Sequence, residues 1–256
     1  MYRTALYCQL AKMLLLSCVL FVTTDSAFSG TLVGVFDWPV RDKSAFTLTR
    51  VTDKDGILER AYERNAKVLL SMKGSRSDIS DASGCFSYAI WKDRFDMESS
   101  ARIMEYFNKG VIVGFYGPDE PHDWSCGPTY NDLGRICDYV HAKIPGLPCG
   151  YNAPPLWIKK GIRGTGNIDF IVRQGNFRKV SDWSSWAKDI MSNKKWFAGN
   201  IYLSVNGYTG SPGSSEVIKA VKSLCDAKPS GVLIWKWDYV LNFDMAEAIS
   251  YCANAD

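Results

Sequence analysis

The feature that most limits what this chain can fold into is an alternation: eight short runs of β-branched and aromatic residues, most of them followed by a stretch with helical spacing of apolar residues. Short apolar strands that alternate with amphipathic helices cannot hydrogen-bond as hairpins, so they form a parallel sheet wrapped by helices. The strand signals are Leu32–Phe36, a weaker run near Leu48–Val51, Val68–Met72, Val111–Tyr116, Pro148–Tyr151, Ile168–Val172, Ile201–Val205 and Val232–Trp235. Between them lie helical patterns such as Ile57, Leu58, Ala61 and Tyr62; Met97, Ala101, Met104 and Phe107; and Leu133, Ile136, Val140 and Ile144, the last closed by Pro145 and Gly146. Eight strands in one α/β chain of this length predict a (β/α)8 TIM barrel. The helix after the fifth strand is the thinnest element, little more than the turn Trp157 to Gly161, and an open doubly wound sheet is the alternative. Against it, Asp37, Trp38 and Pro39 follow the first strand, where a phosphate-binding sheet carries a glycine-rich turn.

The first residues read differently. Arg3 and Lys12 precede an apolar stretch, Met13 to Val22, and small and polar residues run from Thr23 to Gly30. This is the layout of a secretory signal peptide, with Ala27 and Ser29 placing small side chains before a cut after Ser29. The stretch is shorter than the roughly 20 residues a membrane span needs. Residues 1–29 are therefore read as a leader and 30–256 as one barrel domain, with the product expected to be extracellular and monomeric. The mature chain keeps six of the eight cysteines: Cys85, Cys126, Cys137, Cys149, Cys225 and Cys252. An even number in an exported chain favours disulfides over free buried thiols. Six cysteines allow fifteen pairings, and the sequence does not choose among them; the set suggested by the topology is Cys85 with Cys126, Cys137 with Cys149, and Cys225 with Cys252, each joining segments expected to be neighbours. Net charge is only +3, and no basic block interleaves with aromatics, so nucleic acid is not an expected partner.

A barrel fills its interior with side chains and displays function on the loops after its strands. The residues there are Asp37 and Trp38; Lys73, Ser75 and Arg76; Asp119, Glu120 and His122; Tyr151 and Asn152; Arg173 and Gln174; Asn206 and Tyr208; and Trp235, Trp237 and Asp238. The densest signal is Gly114-Phe115-Tyr116-Gly117-Pro118-Asp119-Glu120-Pro121, two acids held between prolines at the end of the fourth strand. A carboxyl group fixed there beside Trp38, Trp124, Trp235 and Trp237 is desolvated in part, which raises its pKa and suits a general acid. Glu120 is the candidate proton donor, and Asp238, before Asp37 and Asp119, the candidate second carboxylate. Asp37, Trp38, Lys73, Tyr151, Asn152, Arg173, Asn206, Tyr208, Trp235 and Trp237 are the candidate substrate contacts, because sugar rings stack on aromatic faces and their hydroxyls bond to polar side chains. The competing structural role for Asp119 or Glu120 is to cap the next helix or to pair with Arg173.

At these residues the chain resembles the glycoside hydrolase-like (β/α)8 barrels, whose fourth strand commonly ends in a catalytic Glu and whose eighth often ends in a sugar-stacking Trp. It is most similar to a group of uncharacterised secreted bacterial barrels that carry Asp-Glu-Pro at the end of strand four, matched by Asp119, Glu120 and Pro121. Gly74, Ser75 and Arg76 after the third strand and the Trp-x-Trp-Asp end of the eighth extend the likeness. The resemblance implies a carbohydrate substrate and no cofactor. Two departures stand out. The large retaining clan places a nucleophilic Glu after strand seven, where this chain has Ser204, Val205, Asn206, Gly207 and Tyr208. Chitinase-like barrels place an Asp two residues before the Glu, and here that residue is Pro118. A carbohydrate-binding barrel that has lost one acid is thus the alternative. A metal-dependent hydrolase is disfavoured, since His122 and His141 are the two histidines and they do not sit at ligand spacing. A serine elbow is absent.

Overall fold

The computed structural model describes residues 31–36, 46–54, 56–98, 100–153, 167–206, 212–235 and 245–255. Eight parallel strands close into a barrel in chain order: β1 Leu32–Phe36, β2 Leu48–Thr52, β3 Lys67–Ser71, β4 Ile112–Tyr116, β5 Cys149–Asn152, β6 Phe170–Asn176, β7 Asn200–Asn206 and β8 Gly231–Trp235. Closure is made by β1 against β8, with Leu32 opposite Gly231 and Val35 opposite Ile234. Each strand thereby finds two partners, so no unpaired edge is left. The expected (β/α)8 architecture is what forms, and the weak second strand is one of its eight members.

Around the barrel lie helices α1 Ile57–Glu63, α2 Tyr88–Met97, α3 Ser100–Asn108, α4 Tyr130–Lys143, α5 Trp183–Met191, α6 Ser214–Cys225 and α7 Ala246–Ala253. The thin turn foreseen after the fifth strand lies outside the described residues. Two sequence expectations fail in detail. Met97 is 74% exposed and Tyr62 54%, and the face that α3 buries is Ile103 and Tyr106. The apolar spacing from Met97 to Phe107 spans a break: α2 ends at Met97 with Glu98 as its cap, and α3 begins a new phase at Ser100.

Two separate apolar layers result from the two-residue alternation of the strands. Val33, Val35, Val68, Leu70, Ile171, Leu203 and Ile234 face the helices, while Phe36, Leu48, Leu69, Tyr116, Phe170, Val172, Tyr202 and Leu233 fill the barrel. Phe170 sits inside because its neighbours are glycines. A Cβ on Gly114 would lie 2.7 Å from its ring, and one on Gly150 would lie 2.1 Å from its carbonyl oxygen. Higher up, Phe36 meets Tyr116 and Trp235 edge-on at centroid distances of 6.1 and 5.3 Å, forming the floor under the carboxyl ends of the strands.

The three disulfides are Cys85–Cys126, Cys137–Cys149 and Cys225–Cys252, the pairing that barrel adjacency favoured. They tie the β3 and β4 loops to each other, α4 to β5, and α6 to α7. Cys137, Cys149, Cys225 and Cys252 are fully buried, whereas Cys126 is exposed. Thiol exchange needs access to a sulfur. Mild reduction of the folded protein should therefore open Cys85–Cys126 first, and mass spectrometry after alkylation should find the other two pairs intact. Simultaneous labelling of all six would contradict this burial.

Candidate active site

The β4 end supplies the central side chains. Ser71, Tyr116 and Asn152 lie at the carboxyl ends of β3, β4 and β5, and Arg50 lies one turn of the pleat away on β2. Strand alternation turns Tyr116 inward with Phe36 and Val172. Its hydroxyl donates to Asp119 Oδ1 at 2.5 Å, and Asn152 Nδ2 donates to the same oxygen at 3.3 Å. Burial first, then the Asp119 charge, pushes the Tyr116 phenol well above its ordinary value, so it stays a donor. The Arg50 guanidinium lies 5.0 Å from the centre of the Tyr116 ring. Asn152 Oδ1 and Ser204 Oγ are buried acceptors with no hydrogen-bond partner among the described residues. Such groups are costly to leave unmet; Asn152 ends β5 and carries its unmet acceptor at the barrel mouth, whereas Ser204 lies deeper, two residues before the end of β7.

Glu120 is half-buried next to this group. Its backbone is left-handed, with φ 45° and ψ 52°, a conformation that costs a residue with a side chain about 1–2 kcal/mol. The turn is held by Trp124 Nε1 donating to the Asp119 carbonyl at 3.0 Å and by Asp123 N–H donating to the Glu120 carbonyl at 2.9 Å. Backbone strain of this kind concentrates where a side chain must be aimed. Burial, with the Asp119 and Asp123 charges, raises the Glu120 pKa above the usual carboxylate value, and Arg76 and Arg173 pull it partly back. Arg173 leaves β6 on the helix-facing side, one residue out of phase with Val172, yet its charge acts on Glu120 and Asp123. Its buried Nε has no hydrogen-bond partner among the described residues. His122 lies 3.3 Å from Asp123.

Arg50, Ser71, Lys73, Arg76, Asp119 and Trp124 line a pocket of about 90 Å3 on the β2–β4 side of the mouth. Lys73 is exposed there, and Arg76 lies over the Trp124 ring at 5.0 Å. On the other side, Asn206 ends β7 opposite Trp235, and both are half-buried. Trp235 closes the floor against Phe36.

One predicted contact is corrected. Tyr151 has no exposed surface; its hydroxyl donates to the Leu133 carbonyl at 2.7 Å. Gly150 and Asn152 turn inward, so Tyr151 between them points into the layer between barrel and helices. It is a core residue that anchors α4. Asp37, Trp38, Tyr208, Trp237 and Asp238 lie outside the described residues. Tyr116, Arg50 and Ser71 were missed by the sequence reading. A charged residue two places after Leu48 in an apolar strand was the available sign for Arg50.

No protein-family model matches the chain, and no curated protein matches it. Solved structures do. Among them, the clostridial cellulose synthase subunit Z of Clostridioides difficile superposes with a TM-score of 0.60 at 9% identity, covering 87% of this chain and 99% of that one. The catalytic domain of the major endoglucanase of Xanthomonas campestris gives 0.53 at 12% identity, covering 89% and 94%. An endo-β-1,4-mannanase of Thermotoga petrophila gives 0.53 at 11%, covering 88% and 76%. What these proteins share with the chain is the barrel. The likeness spans nearly the whole described structure, and at such identities it speaks for architecture alone.

Proposed function

We propose that this protein is a secreted glycoside hydrolase in which Glu120 protonates the leaving glycosidic oxygen. The observation that carries the reading is a strained, half-buried glutamate at the end of β4, raised in pKa by burial and flanked by Asp119 and Arg173. A proton donor must remain protonated near working pH and yet reach its substrate, and a partly desolvated carboxyl group at a barrel mouth meets both needs. Barrels of the same architecture named as a mannanase and an endoglucanase support a carbohydrate ligand by analogy. Three disulfides support maturation in an oxidising compartment. Asp238 is the proposed second carboxylate. Asp119 instead positions: it is held by Tyr116 and Asn152 and raises the Glu120 pKa.

A second reading draws on β7, which ends in Ser204, Val205 and Asn206 without a carboxylate. A barrel of this kind that binds sugar without cleaving it accounts for that end directly. Screening the mature protein against a broad glycan panel, with both binding and new reducing ends recorded, separates the two: binding without release selects the second reading, and neither signal overturns both.

The pH dependence follows from the direction of the Glu120 shift. Its folded pKa lies above the unfolded value, so the folded state holds the proton more tightly, and the stability this contributes is present at low pH and lost as pH rises through the raised pKa. Catalysis changes in the same direction, because the acid form is the active one. The expected kcat/KM profile falls on its alkaline side at a pH above the ordinary carboxylate range of about 4.3. A profile flat across that range would remove Glu120 as the titrating acid.

A further inference from the structure

The pocket between β2 and β4 has a charge balance that a neutral sugar does not need. Among the described residues, Lys73 and Arg76 on the loop after β3 line it beside Arg50 of β2, which is already engaged, and the carboxylate that lines it is that of Asp119. Asp119 is already engaged by Tyr116 and Asn152. The other acids near that loop are spent elsewhere. Asp78 accepts from the Ser75 N–H at 2.5 Å and lies 3.7 Å from Arg94, and Glu98 accepts the Lys73 backbone N–H at 3.3 Å. The Lys73 ammonium and the Arg76 guanidinium have no hydrogen-bonded carboxylate partner among the described residues. Glu120 feels the Arg76 charge, but it does not line the pocket.

Size narrows the occupant. A cavity of about 150 Å3 accommodates a benzene ring, so a space of about 90 Å3 is too small for a six-membered sugar ring and sized for one substituent of it. Arginine matches the planar pair of oxygens of a carboxylate or sulfate, and lysine adds a mobile point charge. Trp124, held under Arg76, keeps that guanidinium beside the opening and adds an apolar wall for the ring that carries the substituent.

We infer that the site selects acidic glycans, seating the carboxylate or sulfate of a sugar residue against Lys73 and Arg76 while the ring lies across the barrel mouth. The inference rests on the carbohydrate reading above and adds the class of sugar.

The test compares oligosaccharides matched in backbone but neutral, uronate-bearing or sulfated, titrated calorimetrically into the mature protein, with inorganic sulfate as the free-anion probe. Acidic ligands should bind at least about tenfold more tightly than the neutral match, as expected for one or two charge-assisted hydrogen bonds, and should weaken with added salt. Lys73→Ala and Arg76→Ala should each reduce the acidic preference about tenfold, and Arg76→Glu should abolish it. Lys73 and Arg76 are exposed, so unchanged melting curves verify that these variants fold. Uronate against sulfate identifies the group. Equal or tighter binding of the neutral match overturns the acidic preference and leaves the carbohydrate reading standing. Binding of inorganic sulfate with no glycan bound overturns both.

Discussion

Replacing Glu120 with Gln should abolish turnover of a glycan substrate while leaving its affinity largely intact. The substitution keeps the shape, the left-handed turn and one hydrogen-bond donor, but removes the proton that departs with the leaving group. Positioned acids contribute about 10²–10⁴-fold to rate, and kcat should fall by that order. KM should change little, because the proposed contacts to substrate hydroxyls, Asn152 among them, do not involve the Glu120 carboxyl group. The alkaline fall of the pH profile should vanish in whatever activity is left. Substrates with an activated leaving group, which need little proton assistance, should lose less. Full hydrolysis of an unactivated glycan by the variant would assign the acid to another residue, and Asp119→Asn would then be the next variant to assay.

Replacing Gly34 with Ala should be the most damaging single change to the fold. Gly34 sits in β1 between Leu48 of β2 and Leu233 of β8. A Cβ there would lie 1.7 Å from the Leu48 carbonyl oxygen and 2.3 Å from the carbonyl carbon. Both are backbone atoms of a hydrogen-bonded strand, so no rotamer change relieves the overlap; β1 and β2 must separate. Overpacking ordinarily costs about 1–3 kcal/mol and occasionally more, and a forced opening of the barrel ladder should exceed about 3 kcal/mol, a large part of a domain's usual 5–15. The variant should accumulate poorly or unfold at clearly lower denaturant concentration. Gly213→Ala is the matched control. Its new Cβ meets only the Glu216 carboxylate, at 3.7 Å, and the change should stay within about 1 kcal/mol. A Gly34→Ala protein as stable as that control would show that β1 and β2 are not packed as closely as described.

The glycines also explain how far the site was readable in advance. That Glu120 follows an apolar strand between two prolines is plain in the residues themselves. The side it faces is not, because successive strand residues alternate and a single irregularity resets the alternation. Such an irregularity occurs in β4: Val68 pairs with Ile112 but Leu69 with Gly114. The skipped residue brings Gly114 and Tyr116 inward, and so brings the Tyr116 hydroxyl to Asp119. In β5 the same alternation works against the sequence reading, because two inward residues leave Tyr151 outward in the core.

Apolar patterning determined the order of strands and helices and favoured a closed eightfold barrel over an open sheet; closure itself and the choice among fifteen cysteine pairings came from the tertiary structure. The first two follow from periodicity and chain order, which are properties of the sequence. The tertiary structure decided that of the adjacent acids Asp119 lines the pocket, while Glu120 stands half-buried beside it under the charges of Arg76 and Arg173. It also decided that Arg50 and Ser71 belong to the mouth and Tyr151 does not. Those outcomes depend on strand register, on a left-handed turn and on the space that glycines leave for Phe170. Each is set by contacts between residues far apart in the chain, which no local pattern encodes.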